Sequence, residues 1–162
     1  MLRLTPPRSK GAAPLAYRRP TADDQEIDKL DFDHTTVRVL IVDDQVPFRE
    51  AARAVIARIE GFELVGLATS GEESVLMANQ LDPDLIVMDI NMSEMDGLEA
   101  TRRITAQRPT ALVVLVSTYA VEELPSDARQ SGAAAYLSKD SLSPRALRRL
   151  WEAGGDAEWR IA

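Results

Sequence analysis

Asp43, Asp44, Asp89, Ser117 and Lys139 are the residues of this chain whose types and positions could together do chemistry. Asp43 and Asp44 follow the apolar run Val39-Leu40-Ile41-Val42, and Asp89 follows Leu85-Ile86-Val87-Met88. Ser117 follows Leu112-Val113-Val114-Leu115-Val116, and Lys139 comes just after Ala135-Tyr136-Leu137. Each run has the length and composition of a buried strand, so each polar residue falls where a strand leaves its sheet. In open parallel sheets ligands bind at that edge, where strand order reverses. Three carboxylates, a hydroxyl and an ammonium gathered there suit a divalent metal and a phosphoryl group.

The elements that must position these residues alternate regularly. Val37–Val42 reads as a first strand, followed by Phe48, Ala51, Ala52, Val55, Ile56 and Ile59 at helical spacing, with Pro47 in the first turn. Gly61 stops that helix, and Phe62–Ala68 is the second strand. Ser70 and Glu73 form a capping box for a helix through Val75 and Ala78. Leu85–Met88 is the third strand, and Gly97 leads into a helix bearing Leu98, Thr101 and Ile104. After Pro109 comes a fourth strand, Ala111–Val116, then a weaker helix with Val121, Leu124 and Ala128 on one face. Gly132 ends it, and Ala134–Leu137 is the fifth strand. Ser143-Pro144 starts a last helix whose inner face carries Ala146, Leu147, Leu150 and Trp151, and Gly154-Gly155 ends it. Strands and helices in strict alternation predict an α/β fold with a parallel sheet.

Composition bounds what surrounds this unit. At 162 residues the chain fits one domain plus an addition, since domains commonly run about 100–150 residues. Residues 1–35 are basic and proline-bearing up to Pro20, then acidic from Asp23 to Asp33, and predict a flexible extension; Asp24 to Phe32 could form a short helix. His34, the only histidine, lies in that extension and reads as inert. The expected division is an extension over 1–35, a globular domain over 36–152 and a tail over 153–162. With no cysteine, disulfides and thiolate chemistry are excluded. A net charge of -7 argues against nucleic-acid binding by this chain. No apolar stretch approaches the roughly 18 residues of a membrane span, and no secretory signal opens the chain. A cytoplasmic location is expected.

The pattern resembles the response-regulator receiver domain, the CheY-like phosphoacceptor of two-component signalling. The resemblance is carried by Val-Arg-Val-Leu-Ile-Val-Asp-Asp-Gln (37–45), Pro-Asp-Leu-Ile-Val-Met-Asp-Ile-Asn-Met (83–92), Met-Asp-Gly (95–97), Val-Leu-Val-Ser (114–117) and Gly-Ala-Ala-Ala-Tyr-Leu-Ser-Lys-Asp (132–140). The endings Tyr-Leu-Ser-Lys-Asp and Gly-Glu-Glu (71–73) look most like receivers of the NarL/LuxR type. The resemblance implies a flavodoxin-like (βα)5 doubly wound sheet with strand order 2-1-3-4-5. It implies that Asp89 accepts a phosphoryl group from a histidine kinase or phosphotransfer protein. Mg²⁺ would be held by Asp44, Asp89 and the backbone carbonyl of Asn91, with Asp43 close by or acting through water. Lys139 and Ser117 would meet phosphoryl oxygens. Ser117 and Tyr136 would form the switch, signalling to an output partner through the face of the fourth predicted helix, the fifth strand and the fifth predicted helix. A homodimer through that face is plausible for the family. Such a protein catalyses only its own phosphorylation and dephosphorylation and is not a turnover enzyme.

Blander readings apply to each residue. Asp43 and Asp44 could cap a helix, Asp89 could be a turn residue, and Ser117 a plain strand-end hydroxyl. Tyr136 could be core, Lys139 an ordinary surface lysine, and Arg145, Arg148 and Arg149 a solvated helix face. Among whole-protein alternatives, a Mg²⁺-dependent phosphatase with an aspartyl nucleophile carries a second acid two residues on, where this chain has Asn91. A receiver used as a constitutive dimerisation module would not need the five-residue set. Two forms of the receiver reading stay open: a stand-alone phosphoacceptor, and the truncated receiver half of a NarL/LuxR-type DNA-binding regulator. The end of the sequence at Ala162 favours the first. Ser93 stands where the family often has proline, so a looser loop beside the site is expected.

Overall fold

A computed structural model of the chain describes residues 36–160. The expectations for the 1–35 extension, its short helix and His34 lie outside the described residues. Five strands, β1 (Val37–Val42), β2 (Phe62–Ala68), β3 (Leu85–Asp89), β4 (Leu112–Ser117) and β5 (Ala135–Ser138), form one parallel sheet in the order β2-β1-β3-β4-β5. Every residue of β3 and β4 is buried. That follows from their composition, since a strand covered on both faces must be apolar on both.

The helices α1 (Val46–Ala57), α2 (Gly71–Leu81), α3 (Gly97–Gln107) and α4 (Pro144–Ala153) cover the two faces of the sheet. On one face Leu40, Val42, Ile86, Met88, Val113 and Leu115 pack with Ala78 of α2 and Leu98 and Ile104 of α3. On the other, Val39, Ile41, Leu85, Val87, Val114 and Val116 pack with Ala52 and Ile56 of α1 and Leu147 of α4. Alternate residues of each strand thus serve opposite cores, the period-2 consequence of the pleat.

The helix starts follow from local chemistry. Ser70 Oγ accepts from Glu73 N at 3.1 Å, while Glu73 reaches back to Thr69 N and Thr69 Oγ1. The box therefore closes one residue earlier than the Ser70–Glu73 pairing read from sequence. Ser143 Oγ caps α4 through Ala146 N at 3.1 Å, with Pro144 opening the helix. Gly154 ends it at φ 70°, a left-handed conformation that costs glycine little.

One expected element does not form. Between β4 and β5 the weaker helix over Val121, Leu124 and Ala128 is replaced by two short 3₁₀ turns, Val121–Glu123 and Ala128–Gln130. Pro125 is the physical reason. It has no N–H to give a helix, and it drives the preceding residue out of the α region; Leu124 is extended at φ -67°, ψ 148°. The strict alternation of five strands and five helices is corrected accordingly. Part of the vacated core position is filled from the end of the chain, where a helical turn, α5 (Ala157–Arg160), buries Trp159 in the same cluster as Leu115 and Ala128.

Candidate functional site

Reversal of strand order at β1 leaves a crevice at the carboxyl ends of β1 and β3, and the acidic residues converge there. Asp43 and Asp44 leave β1, and Asp89 is the last residue of β3. One carboxylate oxygen from each lies within 4.8 Å of the others. Asp43 and Asp89 are 0% and 2% exposed, whereas Asp44 is more open to solvent.

Each side chain has a positioning contact. Asp43 Oδ1 accepts from Gln45 N at 2.7 Å, and the Asp43 carbonyl accepts from Arg49 Nη1 at 2.9 Å. Asp44 Oδ1 accepts from Gln45 Nε2 at 3.3 Å, and Asp89 Oδ1 from Asn91 N at 3.4 Å. Gly97 brings α3 hard against the end of β3. Its N–H donates to Ile90 O at 2.9 Å, and a Cβ there would overlap the Asp89 carbonyl oxygen. Glu72 of α2 accepts from Met95 N at 3.1 Å, which ties down the loop containing Ser93.

Lys139 enters from the turn after β5. Its Nζ lies 2.7 Å from Asp43 Oδ2 and 3.4 Å from Asp89 Oδ1, with the ring of Phe48 4.6 Å away beneath the ammonium. Burial pulls the Lys139 ammonium down in pKa, but its contact with Asp43 and the charges of Asp89 and Asp43 outweigh that and hold it above its ordinary value. Burial, joined by the neighbouring Asp43 charge and opposed by Lys139, raises the Asp89 carboxyl from 3.8 to about 6. Three carboxylates meet one ammonium, with the Arg49 guanidinium on the Asp43 carbonyl, so the cluster keeps a surplus of negative charge. Asp43 Oδ2 is buried, with the Lys139 ammonium as its close partner. An all-oxygen donor set with a surplus of negative charge, held at a strand switch point, fits a hard divalent cation such as Mg²⁺.

Ser117 and Tyr136 form a second layer. Ser117 is fully buried and follows Val116, the residue paired with Asp89 across the sheet. Its Oγ accepts from Tyr119 N at 3.2 Å, turned toward the β4–β5 connection. The Tyr136 hydroxyl donates to Ser117 O at 3.3 Å and to Tyr119 O. The structure thus brings Asp43, Asp44, Asp89 and Lys139 into one cluster, with Ser117 one step along the sheet edge and Asn91 touching Asp89 through its N–H. Two contacts escaped the sequence reading. Phe48 reads there as one more apolar helix position, and Trp159 as part of a tail. A large aromatic in an otherwise polar segment was the available signal for the second.

A doubly wound 2-1-3-4-5 sheet with an acidic cluster at its switch point and a lysine after β5 defines a receiver-type α/β domain. The family model for the response regulator receiver domain matches residues 39–151, and the chain belongs to that family. It is 41% identical over 103 residues to the response regulator GacA of Pseudomonas viridiflava, covering 64% of this chain and 48% of that one. It is 38% identical over 106 residues to the transcriptional regulatory protein YdfI of Bacillus subtilis (strain 168), covering 65% and 49%. The chain therefore spans about half the length of these curated relatives. Among solved structures, a LuxR-family two-component response regulator from Aurantimonas sp. SI85-9A1 aligns with a TM-score of 0.66 at 30% identity, covering 74% of this chain and 84% of that one. A chain of the CheX-CheY-BeF3-Mg²⁺ complex from Borrelia burgdorferi aligns with a TM-score of 0.67 at 27% identity, covering 78% of this chain and 96% of that one. As in the family, the domain serves two-component signalling. Among the described residues no helix is long and apolar enough to cross a membrane.

Proposed function

We propose that Asp89 is the phosphoacceptor of this receiver, taking a phosphoryl group from the phosphohistidine of a kinase or phosphotransfer protein in the cytoplasm. The observation that carries the proposal is the buried Asp89 carboxylate at the switch point of the sheet, bridged to Asp43 by the Lys139 ammonium. In the transfer a carboxylate oxygen of Asp89 forms a bond to phosphorus as the phosphorus–nitrogen bond of the donor breaks. The bonding pair leaves with the imidazole. Asp44, Asp89 and the carbonyl of Asn91 would hold Mg²⁺, with Asp43 beside it. When bound, the ion supplies charge neutralisation between an anionic nucleophile and an anionic donor.

This chain's own groups complete the site. Lys139, kept charged by its carboxylate neighbours, meets one phosphoryl oxygen as a compact ammonium. Ser117 Oγ gives up its contact with Tyr119 N to donate to another. Phosphoryl transfer needs mainly positioning and charge stabilisation, and the set offers both. Tyr136, bonded to the carbonyls on either side of that movement, carries it to the output surface. The chain acts on itself and turns over no other substrate.

Intact-mass spectrometry after incubation with a small-molecule phosphodonor tests the proposal. One added phosphoryl group is expected, requiring both Mg²⁺ and Asp89, and absent from Asp89→Asn. Absence of an adduct, together with no binding of fluoroberyllate, would refute it. The likeness to GacA and to a transcriptional regulatory protein favours transcription as the output. Reading the message across the codon for Ala162 tests whether a DNA-binding domain follows.

A further inference from the structure

The end of the described chain is docked on the surface that Tyr136 faces. Trp159 is 3% exposed although it sits on a helix of only four residues, too short to hold itself in water. Its position therefore depends on tertiary contacts. The indole stacks on Tyr136, with ring centroids 5.9 Å apart and 27° between planes. The Trp159 Nε1–H donates to Ala133 O at 3.2 Å, and Asp156 N to Ala134 O at 2.9 Å. Arg129, from the β4–β5 connection, places its guanidinium 4.7 Å from the indole centroid. It also donates to Glu158 O at 3.0 Å and to Trp159 O at 2.7 Å.

Two of these partners belong to the machinery beside the acidic site. Tyr136 is bonded to Ser117 O and Tyr119 O, and Ser117 Oγ holds Tyr119 N. Trp159 is thus separated from Ser117 by one aromatic ring. The β4–β5 connection, from which Arg129 reaches, leaves Tyr119 and Val121 exposed. It has no α-helix, and a cleft of about 130 Å³ lies beside Trp159, lined by Val121, Leu124, Pro125 and Ala128. Movement of the Ser117 hydroxyl toward a phosphoryl oxygen would break its contact with Tyr119 N, the residue whose carbonyl, with that of Ser117, anchors Tyr136. The ring on which the indole stacks is thus anchored by the same carbonyls that flank Ser117 Oγ.

We propose that the segment Ala157–Arg160 is an intramolecular ligand of the Tyr136 surface, docked through Trp159 while Asp89 is unmodified and released when Asp89 carries a phosphoryl group. Release uncovers an apolar patch around Tyr136, Leu124 and Ala128. The proposal rests on the phosphoacceptor reading of Asp89. Coupling of this kind is reciprocal: the factor by which docking of Trp159 weakens binding at the acidic site is the factor by which binding there weakens docking.

The test uses the full chain carrying Trp151→Phe, which leaves Trp159 as the sole tryptophan. Acrylamide quenching and emission wavelength are read with and without Mg²⁺ and fluoroberyllate, and phosphorylation of the same sample is followed by intact mass. At least a twofold rise in quenching with a red shift on loading is expected. In a second arm, Arg129→Gln loosens the clamp without removing the indole and is expected to raise fluoroberyllate affinity about threefold or more. An adduct that forms with Trp159 quenching unchanged overturns the docking proposal and leaves the phosphoacceptor intact. So does an Arg129→Gln chain whose Trp159 is more quenched but whose fluoroberyllate affinity is unaltered. No adduct and no fluoroberyllate binding overturns both.

Discussion

Asp89 is a carboxyl group whose burial costs the fold something. Its folded-state pKa of about 6 lies above its ordinary 3.8, so the metal-free folded chain holds the proton more tightly than the unfolded chain. Between those values folding takes up protons, and stability falls as pH rises through the window, staying low above it. Asp89→Asn removes that loss. At pH 7.5 without divalent cations it should be more stable than the parent by about 1–2 kcal/mol, once solvent screening at the open mouth is allowed for. The difference should vanish near pH 4, as followed by urea denaturation. Lys139 has the opposite place in the balance, because its ammonium separates Asp43 from Asp89. Lys139→Ala leaves two buried carboxylates facing each other and should cost about 2 kcal/mol at pH 7.5, partly recovered toward pH 5 as Asp89 takes up its proton. A loss that did not depend on pH would mean that Lys139 contributes packing against Phe48 rather than charge.

At the scale of elements, the joint between β3 and α3 decides where the nucleophile sits. Gly97 is held there by the space it leaves, since any side chain would run into the Asp89 carbonyl. Gly97→Ala should destabilise the chain by about 3 kcal/mol through overpacking, seen as a lower thermal midpoint and as slower phosphorylation at temperatures where the variant is folded. The β4–β5 connection shows the opposite behaviour. Val121, Leu124 and Ala128 have helical spacing, yet Pro125 divides the segment into two 3₁₀ turns. A periodic apolar pattern is a statement about which residues want burial. Whether a helix achieves it depends on the backbone groups between them.

For the whole molecule, the cation site couples to folding because its ligands come from β1 and from the end of β3, which meet only in the closed sheet. A cation that binds the folded chain alone should stabilise it by about 1.4 kcal/mol at tenfold excess over its Kd. That raises the thermal midpoint by about 3–5 °C for a domain of this size. Asp44→Asn should lose most of that response, and chelator should reverse it in the parent; calorimetry with and without MgCl₂ measures both. Equal stabilisation of the parent and Asp44→Asn by Mg²⁺ would place the ion elsewhere.

The strands were legible because each is a short, continuous apolar run whose composition leaves it nowhere to go but between two layers. Val37–Val42 and Phe62–Ala68 were read at their observed limits, and β3, β4 and β5 to within one residue at either end. Asp43, Asp44, Asp89, Ser117 and Lys139 were legible for the same reason, since strand ends in a parallel sheet share one edge. The sequence by itself therefore determined the sheet, its chemistry-bearing edge and the identity of the charged groups there. What only the tertiary structure decided were contacts between residues far apart in the chain. Lys139 lies over Phe48, Ser117 Oγ turns toward Tyr119, and Trp159 returns from the end of the chain to stack on Tyr136. Periodicity reports how a residue relates to its own element, and carries no record of which distant side chain will fill the space beside it. That choice is made by packing, as where the turn-built β4–β5 connection leaves room that Trp159 partly fills.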